Sequence, residues 1–360
     1  MMKYMIKTQT PCLTAFKTIV SVNFETPIAI GIDVAKNSLM ICYRYADNHI
    51  LTKNIGNNDS DIKKLIKELK LLNFSGKIVS ESTGRFHMLS AIMLSEKNFL
   101  MYVINPLMSK KYNSASIRKV KSDKRDAEIL AEIAIKEEKL PDVFTADRKK
   151  LMIKKKISLV ATMDKQIQAM QATVKEYQET AKTLKIKLTK AEKGILGVVK
   201  NLKEEKEKLE KEIENIFNEQ SSVDAINIRR QEIFSSIPGV SNYAATLATV
   251  FFLEDHCQNP KQWIAYSGLD ISVKQSGQWI GKGKLTKRGN GYLKKRLFSA
   301  AWGTIMHDAK FKEYYNYLRE KKHSYVESLL MIARKIIRIM FYLSKNNCMY
   351  NPNKIVFTTN

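Results

Sequence analysis

The stretch "PIAIGIDVAKNSLMICYRYADN" (residues 27–48) opens on an apolar, β-prone run that ends in an acid, Asp33. A short turn follows, and a second strand pattern continues through Tyr43. A carboxylate inside an apolar strand is costly unless it is paired or bound to a cation, so Asp33 is a candidate functional group. Outward from it, "SDIKKLIKELKLL" (60–72) has helical spacing, with Ile62, Leu65, Ile66 and Leu69 on one face. "GKIVSES" (76–82) is a short buried-strand pattern carrying Glu81, "HMLSAIMLSEKNF" is helical, and "LMYVINP" (100–106) is a strand stopped by Pro106. A polar, Ser- and Lys-rich loop then leads to a helix capped by Ser122. Strands alternating with helices over residues 27–146 predict an α/β domain around a mixed sheet.

The bulk numbers bound the rest. A chain of 360 residues has room for two or three domains, and 44% hydrophobic content is enough for folded cores. Sixty-one Lys and Arg against 36 Asp and Glu leave a net charge of +25, which points to a polyanionic partner such as nucleic acid. An AT-rich genome explains why lysine is used in place of arginine, but not so large an excess over acids. Cys12, Cys42, Cys257 and Cys348 lie far apart, as free thiols of a reducing cytoplasm do; they form no zinc or disulfide pattern. No apolar run reaches the length of a membrane span. Residues 1–26 lack the apolar core of a signal peptide and read as an N-terminal extension ahead of the first strand. The expected location is the bacterial cytoplasm, in association with the nucleoid.

The pattern changes at residue 147. Counting by sevens from Val160 gives Ile167, Val174, Ala181, Leu188, Ile195, Leu202, Leu209 and Ile216. A second series from Met163 runs through Met170, Tyr177, Leu184, Ala191 and Val198. These a/d positions, with Lys and Glu outside them, predict a coiled coil over 147–232. Gly194 and Gly197 weaken the helix, so a hairpin of two long helices and a single rod both fit, with the partner in the same chain or in a second subunit. The remaining segment, 233–360, is expected to be mostly helical. "FSSIPGVSNYAATLATV" (234–250) has the form of a helix–hairpin–helix, whose turn amides could meet a phosphate, although any helical hairpin can carry Pro-Gly. "WIAYSGL" and a Gly- and Lys-rich loop at 274–291 follow it.

Two clusters could carry chemistry. Hard cations such as Mg2+ take oxygen ligands, and two of them about 4 Å apart can bracket a phosphodiester. Asp33, Glu81, Asp123 and Asp126 offer four carboxylates, the last two three apart on one helix face. Each has a plainer reading: Glu81 could cap the next helix, and Asp123 lies in a first turn that favours acids through the helix dipole. In the second cluster Ser276-Gly277 is followed by Lys282, Lys284, Lys287, Arg288, Lys294, Lys295 and Arg296. Glycines let backbone approach a phosphate, cations neutralise it, and an activated serine could attack phosphorus. A flexible basic loop with incidental serines is the alternative.

Taken together, the motifs resemble one family, the DEDD-type insertion-sequence transposases, which include the pilin-gene invertases. "GIDVAK", "ESTGRFH", "VINP" and "KSDKRDAEILA" resemble its RuvC-like N-terminal domain in order and spacing. "IPGVSNYAATLATV", "WIAYSGL" and "SGQWIGKGKLTKRGNGYLKKRL" resemble its C-terminal transposase domain. The resemblance implies an RNase H-like fold in residues 27–146, with Asp33, Glu81, Asp123 and Asp126 as ligands of Mg2+, or of Mn2+. It implies that Ser276 forms a covalent link to DNA, although Ser272 stands nearby. It further implies an element-encoded bridge RNA that selects donor and target, and assembly as a dimer or tetramer through the coiled coil. Lys119, Lys121, Lys124 and Arg125 are then candidate nucleic-acid contacts. Two other readings compete: a RuvC-like structure-selective endonuclease, which needs no Ser276, and a non-catalytic nucleic-acid scaffold.

Overall fold

The computed structural model describes residues 26–114, 122–219, 225–252, 258–272, 275–276, 279–280, 283–286 and 288–354. The chain divides into two compact units, 1–146 and 147–360. Among the described residues no helix is long and apolar enough to cross a membrane.

The first unit is built on a five-stranded sheet. Its strands are β1 (Ala29–Val34), β2 (Ser38–Arg44), β3 (Ile50–Gly56), β4 (Lys77–Glu81) and β5 (Leu100–Ile104), in the order β3-β2-β1-β4-β5. The first three form an antiparallel meander, and β1, β4 and β5 run parallel. This order is consistent with an RNase H-like domain. β3 has no counterpart among the expected strands. It is an edge strand with mostly exposed or half-buried residues, so it lacks an apolar signature.

Alternation along β1 assigns its two faces. Ile30, Ile32 and Val34 join a core with Ile62, Leu65 and Leu69 of α1 (Asp59–Leu71) and with Ala91 and Leu94 of α2 (His87–Ser95). On the other face Ala29, Val79 and Ile104 pack against Ile129, Leu130 and Ile133 of α4 (Asp123–Lys136). Full burial of each Ile, Leu or Val among these contributes about 1.5–3 kcal/mol. Gly31 belongs to this second face. A Cβ there would stand 2.1 Å from the Ala127 carbonyl oxygen and 2.3 Å from the Ala131 nitrogen, so only glycine lets α4 lie this close to the sheet. Part of the expected loop after Pro106 is instead a helix, α3 (Pro106–Ser114). Proline ends a strand but suits the first turn of a helix, where its missing N–H costs nothing, and Asn105 accepts a hydrogen bond from the Leu107 N–H.

The second unit begins with two long helices, α5 (Arg148–Thr183) and α6 (Lys190–Asn218). They form an antiparallel hairpin: Lys156 pairs with Glu212, Lys206 with Asp164, and Tyr177 with Glu192. The turn does not fall at Gly194 and Gly197. Both lie inside α6 in open space, and the chain reverses after Leu184, with Lys185 at a positive φ of 56°. The reversal resets the heptad. On α5 the expected seam residues Val160, Ile167 and Ala181 are buried, whereas on α6 the buried residues are Val199, Ile213 and Phe217, and Ile195 and Val198 are exposed.

Among the described residues, six further α-helices and two small ribbons complete a mostly helical body. α7 (Ala225–Ser235) and α8 (Asn242–Phe252) flank the Pro238-Gly239 turn, and α9 (Pro260–Tyr266) follows. Gly239, at φ +82°, approaches the backbone of Gly303 and Thr304 so closely that a Cβ would stand 2.1 Å from the Thr304 nitrogen. Its conformational freedom is used for packing against α10 (Gly291–His307). Two small ribbons lie between α9 and α10: β6 (Ile271–Ser272) pairs with β9 (Lys284–Leu285), and β7 (Gln275–Ser276) with β8 (Trp279–Ile280). α11 (Ala309–Glu320) and α12 (Tyr325–Lys345) close the body. One core joins Ile153 and Ile157 of α5, Ile213 and Phe217 of α6, Trp263 of α9 and Ile336 of α12.

Candidate functional site

In the first unit, parallel pairing of β1 with β4 aligns Ile32 with Ser80. Asp33 and Glu81 are the next residues on their strands, so they stand side by side at one end of the sheet, on the face covered by α4. Ser122 caps α4, its side chain accepting from the Arg125 N–H at 3.3 Å, and this starts the helix at Asp123. The close seat at Gly31 then sets the first turn of α4 beside Asp33, two residues further along β1.

The other three acids lie close enough to act on the Asp33 carboxyl. The Asp33 carboxyl is pushed up from 3.8 to about 6, first by burial, then by the negative charges of Asp126, Asp123 and Glu81. Asp33, Glu81 and Asp126 are half-buried, and Asp123 is exposed. One Glu81 oxygen accepts a hydrogen bond from the buried Ser109 hydroxyl on α3. Ser109 was not singled out from the sequence. The available signal was Pro106, which as the first helical residue places position 109 one turn later, on the side facing back to the sheet.

All four donors are carboxylates, which suits a hard divalent cation. Burial with three like-charged neighbours is a standing cost to ionised Asp33 that a cation would offset. Among the described residues, no three acids, histidines or cysteines are already gathered as a ligand group. Of the basic residues next to this helix, Lys124 and Arg125 are exposed, and Arg125 pairs with Glu128 at 3.1 Å. Lys119 and Lys121 lie outside the described residues.

In the second unit, Ser276 lies on β7, where its backbone pairs with Trp279. The base of the ribbon region is held by close backbone contact. A Cβ on Gly289 (φ +90°) would stand 2.5 Å from the Gly268 nitrogen, and Asn290 N–H donates to the Tyr266 carbonyl at 2.8 Å. Ser272 is exposed, and its hydroxyl donates to the Lys284 carbonyl at 3.4 Å. Lys284 and Arg288 are exposed and Lys294 is half-buried, while Lys282 and Lys287 lie outside the described residues.

Lys295 and Arg296 are differently placed. Lys295 pairs with Asp164 of α5 and Arg296 with Glu210 of α6. The Arg296 guanidinium lies 5.1 Å from the ring centres of both Tyr243 and Tyr292 and hydrogen-bonds the Tyr292 hydroxyl. These two cations therefore fasten α10 to the hairpin.

Farther along the hairpin, Met170, Val174, Tyr177, Leu188 and Ile195 line an apolar groove of about 480 Å3.

Comparisons with known proteins find a family likeness along much of the chain. A DEDD-type family model described as a transposase matches residues 30–179, and a model of the transposase IS116/IS110/IS902 family matches residues 231–316. The chain is also similar to the insertion element IS110 uncharacterized 43.6 kDa protein of Streptomyces coelicolor, at 27% identity over 120 residues. That alignment covers 33% of this chain and 29% of the relative.

Proposed function

Because the chain belongs to the IS110/IS116/IS902 transposase family, we propose that it cuts and rejoins DNA strands with a four-carboxylate metal site and a serine nucleophile. Asp33, Glu81, Asp123 and Asp126 would hold Mg2+ or Mn2+. The observation that carries this reading is the raised Asp33 carboxyl, on which the other three acids all act. A bound cation would supply charge neutralisation to the phosphate and its departing oxygen.

The chain's own residues account for the remaining steps. Ser109 holds one oxygen of Glu81, which orients that carboxylate before any ligand arrives. Below about pH 6 the Asp33 carboxyl keeps its proton and offers a weaker donor. Ser276 Oγ attacks the scissile phosphorus; an Oγ–P bond forms, the P–O bond to a sugar breaks, and the departing sugar oxygen takes up a proton. A hydroxyl of the recipient strand then attacks the phosphoserine, restoring the serine and a phosphodiester. Phosphodiester energy is conserved through the link, so no external energy source is needed.

Selection of donor and target by an element-encoded guide RNA belongs to the same proposal and is supported by the +25 charge. Assembly through the hairpin also belongs to it, supported by the exposure of Tyr177, Leu184, Ile195 and Val198.

The test is a strand-exchange assay with purified full chain, guide RNA and element ends. Ser276→Ala should abolish both exchange and the covalent protein–DNA adduct. Cleavage that survives Ser276→Ala but fails in Asp33→Ala would identify a RuvC-like nuclease instead. Full function with both Asp33 and Asp126 replaced by Ala would leave only a scaffold.

A further inference from the structure

Helix α12 lies beyond residues 231–316, where the family match ends, and it carries three cations within five positions: Arg334, Lys335 and Arg338. Spacings of three and four bring them onto neighbouring faces of the helix. They are crowded together: burial and the charge of Arg338 hold both the Arg334 guanidinium and the Lys335 ammonium below their ordinary ranges. Arg334 Nε is buried and has no hydrogen-bond acceptor among the described residues. Neither Arg334 nor Arg338 forms an ion pair among those residues, and Arg338 is exposed.

Aromatic rings flank the cluster. Lys335 Nζ lies 5.3 Å from the centre of the Tyr314 ring, Tyr314 stacks with Tyr317 at 6.3 Å, and Lys321 lies 5.5 Å from the Tyr317 ring. The acid acting on Arg334 is Asp270, whose backbone carbonyl accepts from Thr286 at the base of the ribbon region. Like charges gathered at one place are costly, and a phosphate backbone would offset that cost.

We infer that Arg334, Lys335 and Arg338 form a binding patch for a nucleic-acid phosphodiester backbone, adjoining the base of the ribbons that carry Ser276. The inference rests on the nucleic-acid function proposed above. It adds that α12 guides a strand toward the ribbons through backbone contacts that carry no sequence information.

The experiment measures binding of the full-length chain to a labelled DNA duplex and, separately, to a labelled RNA hairpin over a range of salt. Wild type is compared with Arg338→Gln, whose exposed position leaves the fold intact, and with Arg334→Gln/Arg338→Gln, checked by circular dichroism. Each lost phosphate contact should lower the slope of log affinity against log salt by about 1, so the double variant should lose about 2. Loss with duplex alone assigns the patch to DNA and loss with the hairpin alone assigns it to RNA; either supports the inference. If wild type binds with a salt-dependent affinity and Arg338→Gln keeps the same slope on both probes, the patch is overturned while the proposed function stands. If wild type binds neither probe, both fall.

Discussion

Gly31 and Ala127 are so close that a methyl group on Gly31 would stand 2.1 Å from the Ala127 carbonyl oxygen. This contact sets the height of α4 over the sheet, and with it the distance between Asp33 and the Asp123/Asp126 pair. Because the obstacle is backbone, no rotamer change can make room. Gly31→Ala should therefore cost at least the 1–3 kcal/mol typical of overpacking, and it should reduce DNA strand exchange further than its stability loss explains. Chemical denaturation alongside the exchange assay checks this; a neutral Gly31→Ala would refute the contact.

The raised Asp33 carboxyl has a pH signature in chelator-treated protein. The unfolded chain releases this proton near 3.8 and the folded chain near 6, so between those values the folded state binds more protons. Stability from this group is therefore full below about pH 4, falls as pH rises through 6, and stays reduced above it. A shift of roughly two units corresponds to about 2–3 kcal/mol. Asp33→Asn should be more stable than wild type at pH 7.5, and the difference should vanish at pH 4. Melting curves at both values decide, and parallel curves would contradict the crowding of the four acids.

Arg296 and Glu210 are 21% and 14% exposed, so removing Arg296 leaves Glu210 poorly solvated and paired through Lys206, 3.5 Å away. Arg296→Met should destabilise the second unit by about 2–4 kcal/mol, and adding Glu210→Met should recover much of the loss. A double-mutant cycle from denaturant unfolding measures the coupling; purely additive effects would show that the pair contributes nothing.

Gly194 and Gly197 sit within α6, where an added Cβ meets nothing within 4 Å. Replacing either with Ala should stabilise the hairpin by about 0.5–1 kcal/mol, because glycine loses more chain entropy in a helix. A fall in melting temperature would mean that these glycines have a role the helix does not show.

The sheet and its acids were legible because the signals are local. Asp33 is the last residue but one of an apolar strand, Glu81 ends another, and Ser122 sits where a cap belongs. What could not be read depends on distant partners. The restriction on Gly31 comes from a helix almost a hundred residues later, and Lys295 and Arg296 look like free cations until Asp164 and Glu210 fold against them. The hairpin turn escaped for another reason. Glycines usually mark a reversal, but here the chain turns at Leu184 and Lys185, with Lys185 in the left-handed region. Edge strand β3, with no continuous apolar face, left no pattern to find.

The central claim is that Asp33, Glu81, Asp123 and Asp126 act as one cation site, and Mn2+ binding followed by electron paramagnetic resonance tests it without depending on activity. At pH 7.5 the wild-type chain should bind Mn2+, with Mg2+ competing, and Asp33→Asn/Asp126→Asn should lose that binding while remaining folded by circular dichroism. Equal Mn2+ binding by the folded double variant would contradict the account.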